Sequence, residues 1–249
     1  MRVVASLVLL TAVVLAGCAQ PPASTTTAAT TLSPAMAALL AQLKVDPVPA
    51  LDGASVAKWL QAFVDAHHPR LTGTPGEKEA GDDLAAQFAK LGYAVERRKY
   101  GANGLPSADG PIQVIVAVKK GTTMPDHLII SGAHYDTAPI GTGDITPGTL
   151  PITPPVGTPP LYATYDNGSG TAMVMELARL LAHANNTHTI EFVLFNGEEE
   201  GVLASGVLAK ELAAKGAKVD AYIGFDMVGI NYPSPAGCLC IYAGKRAAA

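Results

Sequence analysis

The chain has 249 residues, with 17 Lys and Arg against 21 Asp and Glu, for a net charge of −4. It carries no basic stripe, which excludes nucleic acid as a partner class. With 49% hydrophobic residues, the part that follows the N-terminal segments is long enough to bury the core of one α/β domain.

Residues 1–18 read as an export signal. Arg2 gives a short positive start, residues 3–15 form an apolar run too short to span a bilayer, and Leu15-Ala16-Gly17-Cys18 closes it. That ending resembles a bacterial lipobox, which implies that Cys18 is acylated and becomes the mature N-terminus. Residues 19–34 are rich in Thr, Ala and Pro and read as a disordered tether. The remaining domain, 35–249, is therefore expected outside the cytoplasm, in a periplasm or on a cell surface, held to a membrane by a lipid. Cys238 and Cys240 read as two half-buried thiols, since they stand two apart with no second pair to make a zinc set.

Apolar residues spaced three and four apart predict helices over 35–44 and 55–67. A loop, His68-Pro69-Arg70-Leu71-Thr72-Gly73, leads to Thr74-Pro75-Gly76-Glu77. That tetrad has the form of a capping box with Pro at the first helical position, and the helix it opens runs to Lys90. Strands are expected at 93–100 and 112–119. Residues 137–165 are rich in Pro, Gly and Thr, a length of loop that suggests either a segment overhanging a site or a tolerated insertion. Beyond it the pattern predicts a helix over 170–183, a strand over 189–196, a helix over 202–215 and a strand over 219–225. A further strand is expected over 238–242. With a strand over 127–133 before the loop, this alternation predicts a three-layer α/β/α fold with a mixed, mainly parallel central sheet and right-handed crossovers.

Four short motifs carry the chemistry: His134-Tyr135-Asp136, Asp166-Asn167-Gly168-Ser169-Gly170, Gly197-Glu198-Glu199-Glu200-Gly201 and Asp226-Met227. Each alone has an ordinary reading as a core histidine, a turn, a solvated charge cluster or a helix cap. Three of them follow predicted strands, however, and ligands of open α/β sheets bind beyond the carboxyl ends of the strands. One imidazole with several carboxylates is the donor set of a hydrolytic zinc site. His134 offers the nitrogen, and Asp136 is placed to bond its other ring nitrogen. Asp166 could bridge two ions. Of the adjacent Glu198 and Glu199, one can ligate while the other takes a proton from water. Ser169 does not stand in a nucleophile elbow, which disfavours a serine hydrolase.

In order and composition the four motifs resemble the secreted dizinc aminopeptidases of the bacterial leucyl aminopeptidase type, relatives of the glutamate carboxypeptidase-like exopeptidases. The resemblance starts near Leu71-Thr72-Gly73-Thr74-Pro75-Gly76 and extends to Gly229. It implies a peptide substrate, His134 and Asp226 as ligands of a first zinc, and Asp166 as the bridging carboxylate. It implies Glu199 as a ligand of a second zinc, Glu198 as general base and Asp136 as the residue orienting His134. It also implies a last histidine ligand of the second zinc downstream of Asp226-Met227, whereas these 249 residues hold no histidine after His188. The expectation is a C-terminally incomplete domain holding one zinc firmly and a second weakly. A carboxypeptidase or dipeptidase of the same fold, a glutaminyl cyclase-like enzyme, and a catalytically impaired zinc-binding surface lipoprotein are the alternatives.

Overall fold

The computed structural model describes residues 50–138 and 163–229. Cys18, the tether, the helix expected over 35–44, most of the Pro-rich loop, Cys238 and Cys240 all lie outside the described residues.

Helix α1 spans Gly53–Ala66 and α2 spans Pro75–Lys90. Asp52 caps α1, its carboxylate accepting from Ala54 N at 3.1 Å. Thr74 caps α2 and accepts from Glu77 N at 3.4 Å, as the sequence predicts. The reciprocal half of the capping box differs. Glu77 turns inward, where its Oε2 accepts from Gly73 N at 3.3 Å and its Oε1 accepts from Tyr135 and Gln113. Two buried donors outcompete the cap position for that carboxylate.

Among the described residues five strands follow in one sheet: β1 Ala94–Tyr100, β2 Ile112–Lys119, β3 Met124–His134, β4 His188–Phe195 and β5 Lys218–Gly224. Helix α3, Ser169–Leu181, comes between β3 and β4, and α4, Leu203–Ala214, between β4 and β5. The order across the sheet is β1-β2-β4-β3-β5. β4, β3 and β5 run parallel, while β1 and β2 add an antiparallel flank. The parallel part expected from the alternation of elements is thus the trio that carries the motifs.

Alternation along the strands splits the core into two layers, as period two requires. Ile115, Ala117, Phe192 and Leu194 pack beneath α1, α2 and α3 with Phe63, Leu84, Phe88 and Val174. Val114, Val116, Val193 and Phe195 pack on the other face against Ala204 and Leu208 of α4. These two layers make the α/β/α sandwich. Full enclosure of a side chain such as Leu84 is worth about 1.5–3 kcal/mol, so this framework is rigid enough to hold loops at a fixed separation.

Register sets where those loops meet. His134 pairs with Phe195, and Gly132 with Gly224. The three parallel strands therefore end at one level, and each polar motif begins where its strand stops. Phe225 N donates to Gly132 O at 2.9 Å, which carries the chain one residue further before Asp226.

Candidate metal centre

His134 is the last residue of β3 and is 5% exposed. Its Nε2 lies 3.1 Å from Asp166 Oδ1, 3.5 Å from Asp226 Oδ1 and 3.9 Å from Glu198 Oε2. Its Nδ1 lies 3.3 Å from Asp136 Oδ1. Neither ring nitrogen has a partner in good hydrogen-bond geometry, so the carboxylates surround the ring without lying along its N–H directions. Donor atoms of His134, Asp166 and Asp226 fall within 4.8 Å of one another. Among the described residues they form the one group of three His, Cys, Asp or Glu side chains close enough to share a metal ion.

Asp166 sits in a short π-helical turn, Thr164–Gly168, where it and Asn167 leave helical geometry before α3 begins. The Asp166–Asn167 peptide is cis. Asn167 is completely buried. Its Oδ1 accepts from Gly170 N at 2.8 Å and from Met227 N at 3.3 Å, and its Nδ2 donates to Phe225 O at 2.9 Å. Ser169 Oγ accepts from Val228 N at 2.8 Å and donates to Tyr165 O at 2.7 Å, so this hydroxyl serves the turn rather than a nucleophilic role. Gly170 is required here, because a Cβ would collide with Asn167 and with the carbonyl of Phe225. These bonds fasten the segment of Asp166 to that of Asp226 across about sixty positions of sequence.

Asp136, also completely buried, fastens the other two motifs. Its Oδ2 accepts from Thr72 Oγ1 at 3.1 Å and from Glu199 N at 3.3 Å. Thr72 Oγ1 accepts in turn from Gly197 N at 3.1 Å. Gly197 has a φ of +70°, which lets the chain turn sharply out of β4 into the acidic triplet. The neighbouring glutamates then diverge. Glu198 approaches His134 Nε2, whereas Glu199 Oε1 accepts from Ala138 N at 3.0 Å and stands outside the three-ligand group.

Five carboxylates thus gather around one imidazole. Burial pulls the His134 pKa down, but its approach to Asp136, Asp166 and Asp226 outweighs that, and the ring is pushed up to about 12. Burial raises Glu199, with the Asp166 charge adding to it, to about 7. Burial likewise raises Glu198, and the charges of Asp136, Asp226 and Asp166 reinforce the shift while His134 opposes it. Even a protonated histidine leaves this cluster short of positive charge. A divalent cation among His134, Asp166 and Asp226 would supply it, and an imidazole nitrogen with carboxylate oxygens is the donor set zinc accepts. The residues fit zinc on that chemistry.

The structure brings together the sequence-predicted His134, Asp136, Asp166, Glu198, Glu199 and Asp226. His127 and His188 stand at the amino ends of β3 and β4, as strand length implies. His127 Nδ1 lies 2.8 Å from Asp220 Oδ2 and His188 Nε2 3.4 Å from the same oxygen. Sequence reasoning gave no role to Thr72 or Asn167. Their signal was present only as polar residues inside motifs whose acids drew attention.

Residues 113–243, just over half of the chain, match the family model of peptidase family M28. Among curated proteins, a probable zinc metalloprotease of Pyrenophora tritici-repentis is 36% identical over 121 residues, covering 47% of this chain and 24% of the relative. The aminopeptidase YwaD of Bacillus subtilis is 30% identical over 123 residues, covering 48% and 22%. The matched stretch therefore spans about a quarter of the length of these relatives. Among solved structures, the glutaminyl cyclase of Porphyromonas gingivalis superposes with a TM-score of 0.56 at 25% identity, covering 72% of this chain and 62% of that one.

Asn167 provides a direct test of how the site is held. Asn167→Ala removes two bonds between the Asp166 and Asp226 segments, and one within the Asp166 turn, without touching a candidate ligand. Zinc affinity, measured by competition with a chelator, should fall about 10- to 100-fold, the usual cost of losing a supporting partner. Unchanged affinity in a folded variant would show that the two acids are positioned independently.

Proposed function

The chain belongs to peptidase family M28, and from that premise we propose that it is a zinc-dependent exopeptidase, an aminopeptidase that hydrolyses N-terminal residues from peptides. The observation that carries this reading is the convergence of His134 and Asp226, at the ends of two parallel strands, with Asp166 from the turn before α3, and with Glu198 beside them. His134, Asp166 and Asp226 would hold the ion. When bound, zinc supplies Lewis acidity, which makes a water a stronger acid and polarises the carbonyl to be attacked.

The remaining work falls to the chain's own side chains. Asp136 Oδ1, 3.3 Å from His134 Nδ1, is placed to accept a hydrogen bond from an Nδ1–H once the ion is bound, which would favour the tautomer whose Nε2 lone pair faces the acids. Glu198 takes the proton of the attacking water, whose oxygen bonds to the peptide carbonyl carbon. Glu198 then gives that proton to the amide nitrogen as the C–N bond breaks, and the peptide leaves as an amine. Its raised pKa suits a group that must first accept and then release a proton. Glu199 and a share of Asp166 would hold a second zinc. Glu199 spends one oxygen on Ala138 N, so a second ion there would be held more weakly than the first.

A second reading is glutaminyl cyclisation, supported by the likeness to the Porphyromonas gingivalis enzyme and by the single three-ligand group among the described residues. Release of an N-terminal amino acid from a peptide beginning with glutamine, rather than its cyclisation, separates the two activities.

Glu198→Gln should lower turnover about 10²- to 10⁴-fold, the range for a lost general base, with zinc content unchanged by elemental analysis. Glu199→Gln should lose zinc as well as activity. Equal zinc loss from both variants would overturn the division of roles.

We further propose that the protein acts outside the cytoplasm, lipid-anchored through Cys18. This rests on Arg2, the apolar run and Leu15-Ala16-Gly17-Cys18. Cys18→Ser should move the protein from the membrane fraction to the soluble one. A variant that still pellets with membranes and labels with palmitate would refute the anchor.

A further inference from the structure

The loop between α1 and α2 places a cation under the site. Arg70 is completely buried. Among the described residues it forms no ion pair. Its Nε donates to Tyr135 O at 2.6 Å, its Nη1 to His67 O at 3.0 Å and its Nη2 to Ala163 O at 2.9 Å. The guanidinium carbon lies 5.0 Å from the centre of the Phe63 ring. Backbone bonds add a clasp, with Arg70 N donating to Thr137 Oγ1 and Thr137 N donating to Arg70 O, both at 3.1 Å.

A buried charge without a paired ion is costly to a fold, even when dipoles surround it. Burial accordingly brings the Arg70 pKa down to about 10, with the Asp136 charge pulling the other way. The three carbonyls it binds are informative. Tyr135 stands between His134 and Asp136. Ala163 precedes the turn that delivers Asp166. His67 ends α1. One side chain thus reaches both segments that carry the closest pair of candidate ligands, His134 and Asp166, which approach to 3.1 Å. The planar fork of Arg can satisfy three divergent acceptors at once, whereas the ammonium of Lys is a single point on a flexible stem.

We infer that Arg70 is a positioning residue that fixes the separation of His134 and Asp166, and through it the affinity and selectivity of the site for zinc. The inference rests on the zinc reading of that site. With the fork removed, Tyr135 O and Ala163 O lose their donors. The two ligand segments can then drift apart. A wider, looser cluster favours cations that tolerate irregular oxygen-rich coordination over zinc, which demands a compact tetrahedral set.

The test is metal binding by the purified protein, independent of any peptidase assay. Zinc and manganese dissociation constants are measured by chelator competition for the wild type, Arg70→Lys and Arg70→Met, with circular dichroism and thermal unfolding alongside. Both variants should lose zinc affinity about 10-fold or more. The preference for zinc over manganese should fall in both, and Arg70→Lys should not restore it although it keeps the charge. If either variant fails to fold, Phe63→Leu replaces it: this keeps the fork but removes the ring beneath it, and it should lower the zinc preference in the same direction by less. An unchanged zinc preference in the folded variants would overturn the inference. So would equal losses for both metals that track the fall in unfolding temperature, since that marks a purely structural role. A wild-type chain that binds no zinc would instead overturn the reading of the site itself.

Discussion

The completely buried carboxylate of Asp136 is the point on which the site's geometry turns. One oxygen faces His134 Nδ1, and the other accepts from Thr72 Oγ1 and Glu199 N. A single side chain therefore orients the imidazole, anchors the loop before α2 and sets the start of the acidic triplet. An enclosed charge tolerates little movement among the groups that solvate it, because each lost bond exposes it to a low-dielectric interior. The same logic repeats at Asn167, which joins the Asp166 turn to the Phe225–Met227 segment. Half-buried polar bonds thus tie the four motifs in two pairs, and none of these bonds is fully exposed to the solvent where salt would screen it.

The sheet makes this arrangement affordable. β3, β4 and β5 run parallel and end at a common level, so backbone register alone brings three motifs together before any side chain acts. The apolar layers on both faces resist the repulsion that gathering five acids creates. Burial raises the pKa of Glu198 and Glu199, that repulsion adds to it, and the same acids hold a proton on His134. The folded chain thus stores an unbalanced negative charge at one place, a state that a divalent cation relieves.

Much of this was legible in the sequence. The apolar and β-branched runs placed β2, β3, β4 and β5 to within a few residues, most plainly in β2 and β4, which are buried along most of their length. Their ends pointed to His134, Glu198 and Asp226. Asp166 was found through its own motif rather than from strand topology, because it precedes a helix instead of following a strand. The tying residues were not legible in the same way. Thr72 reaches Gly197 across 125 positions and Arg70 reaches Ala163 across 93. Hydrogen bonds of that span leave no periodicity in the chain. The inward turn of Glu77 was missed for a related reason. A capping box is a local rule, and Tyr135 and Gln113 are distant competitors that only the fold supplies.

The central claim is that a zinc ion belongs among His134, Asp166 and Asp226. X-ray diffraction from crystals of the zinc-loaded protein, collected on either side of the zinc absorption edge, tests it most directly. The account predicts the strongest anomalous peak within bonding distance of His134 Nε2 and of carboxylate oxygens from Asp166 and Asp226. No peak there, or the principal peak beside His127, His188 and Asp220 at the opposite ends of the strands, would contradict it.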